Sequence, residues 1–577
     1  MKTQQSKSAQ KVTALGLPFF EDFTNYSLYP DNTRWADSNV YINNTMGQSP
    51  ISRGVATFDA LNKYGRPYDT LDRYDLLYAD SLTSRQFDLS TYTAQDSIYL
   101  SFFYQPQGNG FFPEVSDSFQ LYFHQKQGGW ALQWSVPGSE VLPFQQVMIP
   151  VTDSNYLYSG FEFRFVNKAS INTNDDVWNL DYIRLDVNRN INDTAIRDIA
   201  FTTPPSNYLN DYTSMPYRQY LPNAAAETAT NMTDSIWNHY STNGTVNFGY
   251  NAVETTTSTT LGASRSTINF SPFSTNQISF PNFKTTVSPP SSTAKIVYNT
   301  TYFLSSGNPT EPKDNDTIVN EQIFDNYLAY DDGTAEKSYF LNLSPSLPGK
   351  IAIEYRLNAP DTLRGMAIYF GQQVPTAYSK IFSIGVYSAL AGISGANADV
   401  QLFQQDELYP LYTDEVNHFT FYKFDSPVFL PKGVFYMGTI QPANSGSDSL
   451  YIGADVNRIG GNHVYYNVLN SWQGSLYSAA LMMRPLLGGP ISGTAVPDQV
   501  FSPVSWSLSP NPVTDILDIK SKYPVQEFIV SDMTGRKIAR AECYNNRIST
   551  SSLSPGFYLI KIRQNGYWSG FQKFIKQ

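Results

Sequence analysis

The stretches SIYLSFFY at residues 97–104 and FEFRF at residues 161–165 share one pattern. Apolar side chains largely alternate with polar ones, as expected for a strand that has one face buried and one face exposed. Gly, Pro, Asn and Asp interrupt such runs roughly every 8–12 residues, and no convincing amphipathic helix is evident. The sequence therefore predicts an all-β protein, with several β-sandwich or jelly-roll domains in tandem.

The composition supports this fold class and excludes one class of partner. The 577 residues include 41 Tyr and 37 Phe, whereas charged residues make up only 15%. Such a composition suits two-faced sheets better than helical bundles. The net charge of −11 argues against a nucleic-acid partner, which requires a basic face. The single cysteine, Cys543, permits no internal disulfide, and no apolar run approaches the roughly 18 residues of a transmembrane segment.

Turn clusters and shifts in composition predict the domain organisation. The predicted units are a disordered leader at 1–17, a jelly roll at 18–190, an Ig-like β-sandwich at 195–320, a β-sandwich or jelly roll at 322–488, a linker at 489–504 and a small Ig-like β-sandwich at 505–577. The leader contains no apolar segment. Either a signal peptide has been removed from this numbering or the chain is cytoplasmic.

The C-terminal unit contains four motifs in a fixed order. PNPVTD at 510–515 is followed by VSDMTGRK at 530–537, LSPGFYLIKI at 553–562 and KFIK at 573–576. This order resembles the type A sorting domain of cargo proteins of the type IX secretion system in Bacteroidetes. The alternative is an ordinary small Ig-like domain with generic turns.

The resemblance implies export across the outer membrane. In that family the domain is recognised by the type IX translocon and its outer-membrane shuttle protein, and a surface peptidase often removes it. The sorting-signal residues implied here are Pro510, Asn511, Pro512, Gly535, Arg536, Pro555, Gly556, Lys573 and Lys576. We expect the Gly535-Arg536 turn and residues 573–577 to form the recognition surface, unless they serve only to fold the domain. Because the C-terminal signature favours export, we prefer the interpretation that a signal peptide has been removed.

The first unit contains a second, shorter resemblance. It opens with FFEDF at 19–23 and nearly closes with WNLDYI at 178–183, a pairing similar to that of MAM-like jelly-roll adhesion domains. First and last strands lie together in such folds, which would bring Glu21 or Asp22 to Asp181 around a Ca²⁺ ion. The alternative is that these carboxylates cap turns or lie solvated at an edge. Ca²⁺ is the one cofactor that the sequence suggests.

No pattern of catalytic residues is recognisable. The histidines His124, His239, His418 and His463 are isolated, and no pair has metal-ligand spacing. A nucleophile elbow, a catalytic cysteine and a phosphate loop are also lacking. We therefore expect that the protein is not an enzyme, although paired carboxylates of a glycoside hydrolase are defined only in three dimensions.

One tripeptide, in which Asp is followed by Ser or Thr and then by an aliphatic residue, occurs eight times. About two occurrences would be expected from average composition. The tripeptide resembles the O-glycosylation motif of exported Bacteroidetes proteins, which implies modification at Thr70, Ser81, Ser97, Thr194, Ser235, Thr317, Thr362 and Ser449. Alternatively, Asp-Ser at a turn followed by an aliphatic residue is simply how strands begin.

The sequence as a whole predicts an extracellular or cell-surface protein that binds or adheres to an unknown surface glycan or protein. One alternative is a secreted hydrolase, active on glycans or peptides, with accessory β-sandwich domains. Another is a surface component of the gliding or secretion apparatus.

Overall fold

The structure is a computed structural model. It describes residues 14–24, 28–69, 76–172, 174–284, 295–374, 377, 380–393, 395–413, 415–443, 449–458, 461–488, 506–521, 525, 527–532, 537–543, 546–564, 567–568 and 572–577. The predicted linker at 489–504 and most of the predicted leader lie outside these residues. Strands dominate every described region, which confirms the all-β class.

The first unit consists of two main sheets. Its strands are β1 (Phe19–Glu21), β2 (Tyr41–Asn43), β3 (Val55–Phe58), β4 (Leu76–Thr83), β5 (Phe87–Asp88), β6 (Tyr99–Pro106), β7 (Ser118–His124), β8 (Trp130–Pro137), β9 (Gln145–Pro150), β10 (Ser159–Phe161), β11 (Phe163–Ser170) and β12 (Trp178–Asp186). One sheet has the order β2-β3-β12-β6-β9, with β1 also paired to β12, and the other has the order β4-β11-β7-β8. Strands β5 and β10 form a separate pair.

Aromatic residues hold the two sheets of the first unit together. Phe102 of β6 contacts Phe165 of β11 edge to face, with ring centroids 4.8 Å apart. Phe119 of β7 stacks on Trp178 of β12 at 5.5 Å. All four side chains are fully buried, and aromatic pairs of this kind contribute roughly 0.5–1.5 kcal/mol beyond the burial of their area. The alternation predicted at 97–104 and 161–165 therefore places large rings between the sheets.

Strand β12 changes partner along its length. Its first residues pair with β3, and Phe20 of β1 lies opposite Arg184 farther along. The register with β6 shifts between Asp181 and Arg184, and Tyr182 at this point has a φ of +52°. The first and last strands of the unit are therefore neighbours, as expected from the sequence, and Asp181 lies at the irregularity.

The strands after residue 195 form several further sheets. They are β13 (Ile199–Phe201), β14 (Asn231–Asn238), β15 (Gly244–Glu254), β16 (Thr259–Phe270), β17 (Ser274–Pro281), β18 (Ile296–Ser305), β19 (Thr317–Phe324), β20 (Lys337–Tyr339), β21 (Gly349–Leu357), β22 (Asp361–Ile368), β23 (Phe382–Ala389), β24 (Val400–Leu408), β25 (Thr420–Leu430), β26 (Gly433–Gln441), β27 (Ile452–Asp455), β28 (Val464–Asn467), β29 (Gln473–Gly474), β30 (Ala480–Leu481) and β31 (Met483–Leu487). The sheet orders are β13-β14-β17, β16-β15-β18-β19, β20-β27-β30, β24-β23-β26-β21-β28-β29 and β25-β22-β31.

One hydrophobic core extends through this whole stretch, from Ile199 to Leu487. Two short helices, α1 (Tyr217–Tyr220) and α2 (Ala224–Glu227), connect β13 to β14. Arg218 of α1 forms a 2.8 Å ion pair with Asp361, at the start of β22. The boundary between the predicted units 195–320 and 322–488 stays a prediction, because apolar side chains from both units pack into this one cluster.

The first unit contacts the units that follow it. The Nε2 atom of His239 lies 2.9 Å from the carbonyl oxygen of Ile51. The hydroxyl of Tyr182 donates to Asp198 at 3.3 Å, and the Asn417 amide donates to the Tyr41 hydroxyl at 3.1 Å. Helices in the described ranges are all too short or too polar to cross a lipid bilayer.

The C-terminal unit is a small sandwich with its own core. Its strands are β32 (Trp506–Ser509), β33 (Ile516–Ser521), β34 (Glu527–Asp532), β35 (Lys537–Glu542), β36 (Arg547–Ser549), β37 (Gly556–Gln564), β38 (Tyr567–Trp568) and β39 (Gln572–Lys576). One sheet has the order β32-β33-β36, and the other has the order β35-β34-β37-β38, with β39 also paired to β37. Cys543 is a buried free cysteine in this core.

Candidate functional site

Two of the predicted sorting motifs meet at the last strand of the chain. The Val513 amide donates to the Ile575 carbonyl at 2.8 Å, and the Gln577 amide donates to the Val513 carbonyl at 2.9 Å. The side chain of Asn511 adds two bonds: its Nδ2 donates to the Lys573 carbonyl at 3.1 Å, and its Oδ1 accepts from the Ile575 amide at 2.9 Å. Residues 511–513 therefore cover the outer edge of β39.

The third motif lies on the other side of β39. Gly556, at the start of β37, pairs with Lys576, and Phe557 pairs with Ile575. Phe574 is fully buried and stacks on Tyr558 with ring centroids 5.5 Å apart. Motifs that are far apart in sequence thus form one continuous surface, made of residues 510–513, 555–557 and 573–577. We call it the sorting surface.

The two lysines of the sorting surface differ in exposure. Lys573 is exposed, and its ammonium lies 4.1 Å from the ring centroid of Phe557, a residue that is itself 51% exposed. Lys576 is only 9% exposed, and its ammonium donates to the carbonyl of Gln577. Lys573 is therefore the accessible cation of the pair. The predicted Gly535-Arg536 turn lies outside the described residues.

The predicted cation ligands near the start of the chain are buried. Oδ1 and Oδ2 of Asp181 accept bonds from the hydroxyl and amide of Ser52 at 3.1 and 2.9 Å. Oε2 of Glu21 accepts from the Trp35 indole at 3.1 Å. Oδ2 of Asp22 has no hydrogen-bond donor among the described residues. Burial raises the pKa of Asp22 to about 6 and that of Asp181 well above its ordinary range.

The structure does not bring Glu21, Asp22 and Asp181 together as a set with one oxygen from each within 4.8 Å of the others. The Ser52 hydroxyl, however, contacts both the backbone of Asp22 and the carboxylate of Asp181 at 3.1 Å. Oε1 of Glu21 and Oδ1 of Asp22 accept from the backbone amides of Phe23 and Thr24, each at 3.2 Å, as expected for carboxylates that cap turns. Ca²⁺ binding at these residues stays a prediction.

The predicted glycosylation sites differ in their surroundings. The exposed ones are Thr194 and Thr317, and the half-buried ones are Ser81, Ser97, Ser235 and Thr362. Thr70 lies outside the described residues. Ser449 is only 2% exposed, and its hydroxyl donates to Gln441 at 3.1 Å. A glycan on Ser449 would require modification before the chain folds, and glycosylation at all eight positions stays a prediction.

One face of the first unit carries aromatic residues that point away from the core, of which Tyr78 is exposed and Tyr122 and Trp130 are half-buried. The residues of β7 alternate between the core and the outer side of the sheet β4-β11-β7-β8. Across the sheet, Tyr122 lies opposite Leu132 of β8 and Arg164 of β11, and His124 lies opposite Trp130. Tyr78 of β4 is 62% exposed and Leu132 is 53% exposed. We call the outer surface formed by Tyr78, Tyr122, Trp130, Leu132 and Arg164 the aromatic face.

Polar contacts hold the side chains of the aromatic face in place. The Arg164 guanidinium lies 4.0 Å from the ring centroid of Trp130, and its Nε donates to the Thr83 hydroxyl at 2.8 Å. The hydroxyls of Tyr78 and Tyr122 are 3.2 Å apart, and Tyr122 donates to Gln120 at 2.6 Å. Burial, together with the neighbouring Tyr78, raises the pKa of Tyr122 to about 12. Its hydroxyl is therefore protonated, and remains a donor, at neutral pH.

Sequence reasoning missed this face, although a signal was present. In SFQLYFH at 118–124, the outward positions include Tyr122 and His124 instead of small polar residues alone. Because aromatic residues also fill the core, their outward placement becomes evident only when neighbouring strands are aligned.

A pocket lies between the first unit and the sheets that follow residue 322. Its lining includes Tyr41, Asp59, Glu336, Tyr369 and Asn417. Burial raises the pKa of both Asp59 and Glu336 to about 7. Oε2 of Glu336 accepts from the Val456 amide at 3.0 Å, so this oxygen takes part in a structural hydrogen bond.

Comparison with known proteins identifies the C-terminal unit. Residues 507–577 match the family described as the secretion system C-terminal sorting domain. The chain therefore ends in a type IX sorting domain and is a secreted or cell-surface protein. The resemblance of the first unit to MAM-like jelly rolls is not confirmed. No curated protein matches the chain.

Solved structures give only weak similarity. A β-glucuronidase of Bacteroides uniformis is 11% identical, with 49% of this chain and 29% of that chain covered and a TM-score of 0.20. A putative β-galactosidase of Bacteroides fragilis is 8% identical, with 49% of this chain and 37% of that chain covered and a TM-score of 0.19. The CBM22-1-CBM22-2 tandem domain of Paenibacillus barcinonensis Xyn10C is 8% identical, with 80% of this chain and 100% of that chain covered and a TM-score of 0.19. The chain thus spans less than two fifths of the length of these two glycosidases, and such TM-scores support no argument about function.

Proposed function

We propose that this exported protein acts by binding, and that the aromatic face of the first unit engages a glycan outside the cell. The sorting domain delivers the protein, and the preceding units carry its activity. The observation that supports the proposal is a set of outward-facing aromatic rings on an ordered sheet, of which Tyr78 is exposed and Tyr122 and Trp130 are half-buried. Exposed apolar patches bordered by polar groups are typical of interaction sites.

The chemistry of the aromatic face suits a sugar. Aromatic rings stack on the C–H faces of pyranose rings, while hydroxyls and amides bind the sugar hydroxyls. Here Tyr78, 62% exposed, offers both a ring and a hydroxyl, and Gln120 and Arg164 lie on neighbouring strands of the same face. The contacts that hold Arg164 and Tyr122 in place reduce the entropy lost on binding. A glycan therefore fits this surface better than an extended apolar peptide.

Binding of the full chain to a glycan array and to soluble polysaccharides tests the proposal. We expect Tyr78→Ala and Trp130→Ala to weaken binding of the recognised glycan about tenfold, a loss of about 1.4 kcal/mol. Tyr409→Ala serves as the control, because Tyr409 is 45% exposed but lies beyond β24, far along the chain from the aromatic face. Wild-type affinity in both face variants would reject the aromatic face as the binding site.

A second candidate function is hydrolysis, and the pocket that contains Asp59 and Glu336 favours it. Glycosidases pair a protonated carboxyl with an ionised carboxylate, and a pKa near 7 allows either form at neutral pH. Both residues have a pKa of about 7 and line the same pocket. In this case the aromatic face would bind the polysaccharide that the pocket hydrolyses.

Release of reducing sugar from the polysaccharides bound by the full chain tests the second candidate. Hydrolysis that is lost in both Asp59→Asn and Glu336→Gln, with unchanged polysaccharide binding, would support it. Binding without any release of sugar would leave binding as the function.

A further inference from the structure

A group of three carboxylates lies in the first unit, away from the residues that the sequence suggested as cation ligands. Glu114 and Asp117 belong to the loop between β6 and β7, and Asp176 belongs to the loop that leads into β12. One carboxylate oxygen from each residue lies within 4.8 Å of the others. Glu114 is exposed, whereas Asp117 and Asp176 are 2% and 0% exposed.

The backbone brings these two loops together. The Val177 amide donates to the Phe111 carbonyl at 3.2 Å, and the Gln107 amide donates to the Val177 carbonyl at 2.8 Å. The Glu114 amide donates to Oδ2 of Asp117 at 2.6 Å, which fixes that side chain within its own turn. The backbone bonds between the two loops therefore bring Asp176 close to Glu114 and Asp117 whatever the charge of the three carboxyls.

A second observation distinguishes this group from an ordinary acidic cluster. Oδ2 of Asp176 accepts from the Ser170 amide at 2.7 Å, but Oδ1 is buried and has no hydrogen-bond donor among the described residues. A buried carboxylate oxygen without a partner is costly, by several kcal/mol for a charged group. No described Lys or Arg forms an ion pair with Glu114, Asp117 or Asp176.

The ligand chemistry points to a hard cation. All three ligand groups are carboxylates, and calcium binds six to eight oxygens at about 2.3–2.6 Å. Two oxygens bound to one such ion are at most about 5 Å apart. The three carboxylates, each with an oxygen within 4.8 Å of the others, are close enough to share one ion. The absence of His and Cys from the group disfavours zinc. The exposed side of Glu114 leaves room for the water molecules that complete the shell.

We propose that Glu114, Asp117 and Asp176 form a Ca²⁺ site that ties the β6–β7 loop to the loop before β12. With three protein carboxylates and water as ligands, the affinity falls in the weak range of about 10⁻⁴–10⁻³ M that is typical of extracellular modules.

Calcium binding to the full chain, stripped with EDTA, tests the site. We expect Ca²⁺ up to about 10 mM to raise the melting temperature, since an ion that binds only the folded state stabilises it. Equilibrium dialysis should find one fewer bound ion per chain in Asp176→Asn than in the wild type. Without Ca²⁺, Asp176→Asn should melt at or above the wild-type temperature, because the Asn oxygen still accepts from the Ser170 amide and the crowding of three carboxyls is relieved.

Two further variants make the result unambiguous. Glu114→Gln should also lose the ion, and because Glu114 is exposed this variant remains informative if Asp176→Asn fails to fold. Glu140→Gln, at another exposed acid of the first unit, should bind as the wild type does. The proposal is overturned if the wild type takes up no Ca²⁺ at about 10 mM, if Glu114→Gln binds as many ions as the wild type, or if Mg²⁺ stabilises more strongly than Ca²⁺.

Discussion

The backbone amide of Ile575 donates a 2.9 Å hydrogen bond to Oδ1 of Asn511, across 64 positions of the sequence. The same side chain donates to the Lys573 carbonyl at 3.1 Å. One asparagine in the PNP motif thus satisfies two backbone groups of the final strand. An edge strand with free backbone groups is a template for unwanted pairing, and this contact covers part of that edge.

Asn511→Ala should destabilise the sorting domain by about 1 kcal/mol, because two partly exposed hydrogen bonds are lost. Asn511→Asp keeps the acceptor for the Ile575 amide but cannot donate to Lys573, so its effect should be smaller. Melting of the purified chain and the ratio of secreted to periplasmic protein measure the two effects. Equal stability of Asn511→Ala and the wild type would show that the contact is energetically neutral.

Removal of residues 505–577 should trap the protein in the periplasm, because the sorting domain lies within this segment. Protease accessibility on intact cells provides the measurement, and the full-length chain provides the control. Normal surface exposure of the truncated protein would mean that an export signal lies elsewhere in the chain.

Lys573→Glu should reduce export while leaving the domain folded, because the Lys573 side chain is exposed and packs on the Phe557 ring, whereas the bond to Asn511 is made by the backbone carbonyl. Lys520→Glu makes the same charge change at an exposed position of the other sheet and should be exported normally. Lys576 is unsuitable for this test, since a glutamate there would be largely buried. Export of Lys573→Glu at the wild-type rate would assign the lysine a purely structural role.

His239 should make the protein sensitive to acid. Burial lowers the pKa of His239 from 6.5 to about 4. As the pH falls from about 6.5 to 4, His239 becomes protonated in the unfolded chain while it stays neutral in the folded one. The free energy of unfolding therefore falls by about 3 kcal/mol over that range. His239→Gln, whose amide still donates to Ile51, should remove this part of the pH dependence. Chemical denaturation at pH 4.5 and 7 measures it, and parallel profiles for both proteins would contradict the prediction.

Asp22 and Asp181 provide a separate calcium test. If they share an ion, Asp22→Asn should lower the number of bound Ca²⁺ ions by one beyond any loss caused by Asp176→Asn. Chelation should also lower the melting temperature of Asp176→Asn, because the second ion would still stabilise the folded state. Identical ion counts for Asp176→Asn and the Asp22→Asn/Asp176→Asn double variant would leave Asp22 and Asp181 as buried structural carboxylates.

The fold class and the sorting domain were both predictable from the sequence. Alternating stretches such as 97–104 are local patterns, because the polarity of each side chain indicates which face of the strand is buried. The motifs of the sorting domain are also short and ordered, so they are recognisable before folding. The convergence of these motifs on β39 could not be predicted from the sequence, because it depends on which strands pair.

Local sequence determined that this protein is built from strands and that it carries an export signal near its end. Tertiary structure alone decided which carboxylates meet and which aromatic rings face solvent. Glu114 and Asp176 are brought together by backbone bonds between two loops, whereas Glu21, Asp22 and Asp181 are not assembled in the same way. Likewise, Tyr122 and Phe123 are adjacent aromatic residues, yet only Phe123 enters the core. A strand's periodicity distinguishes its two faces, but register and packing decide what each face meets.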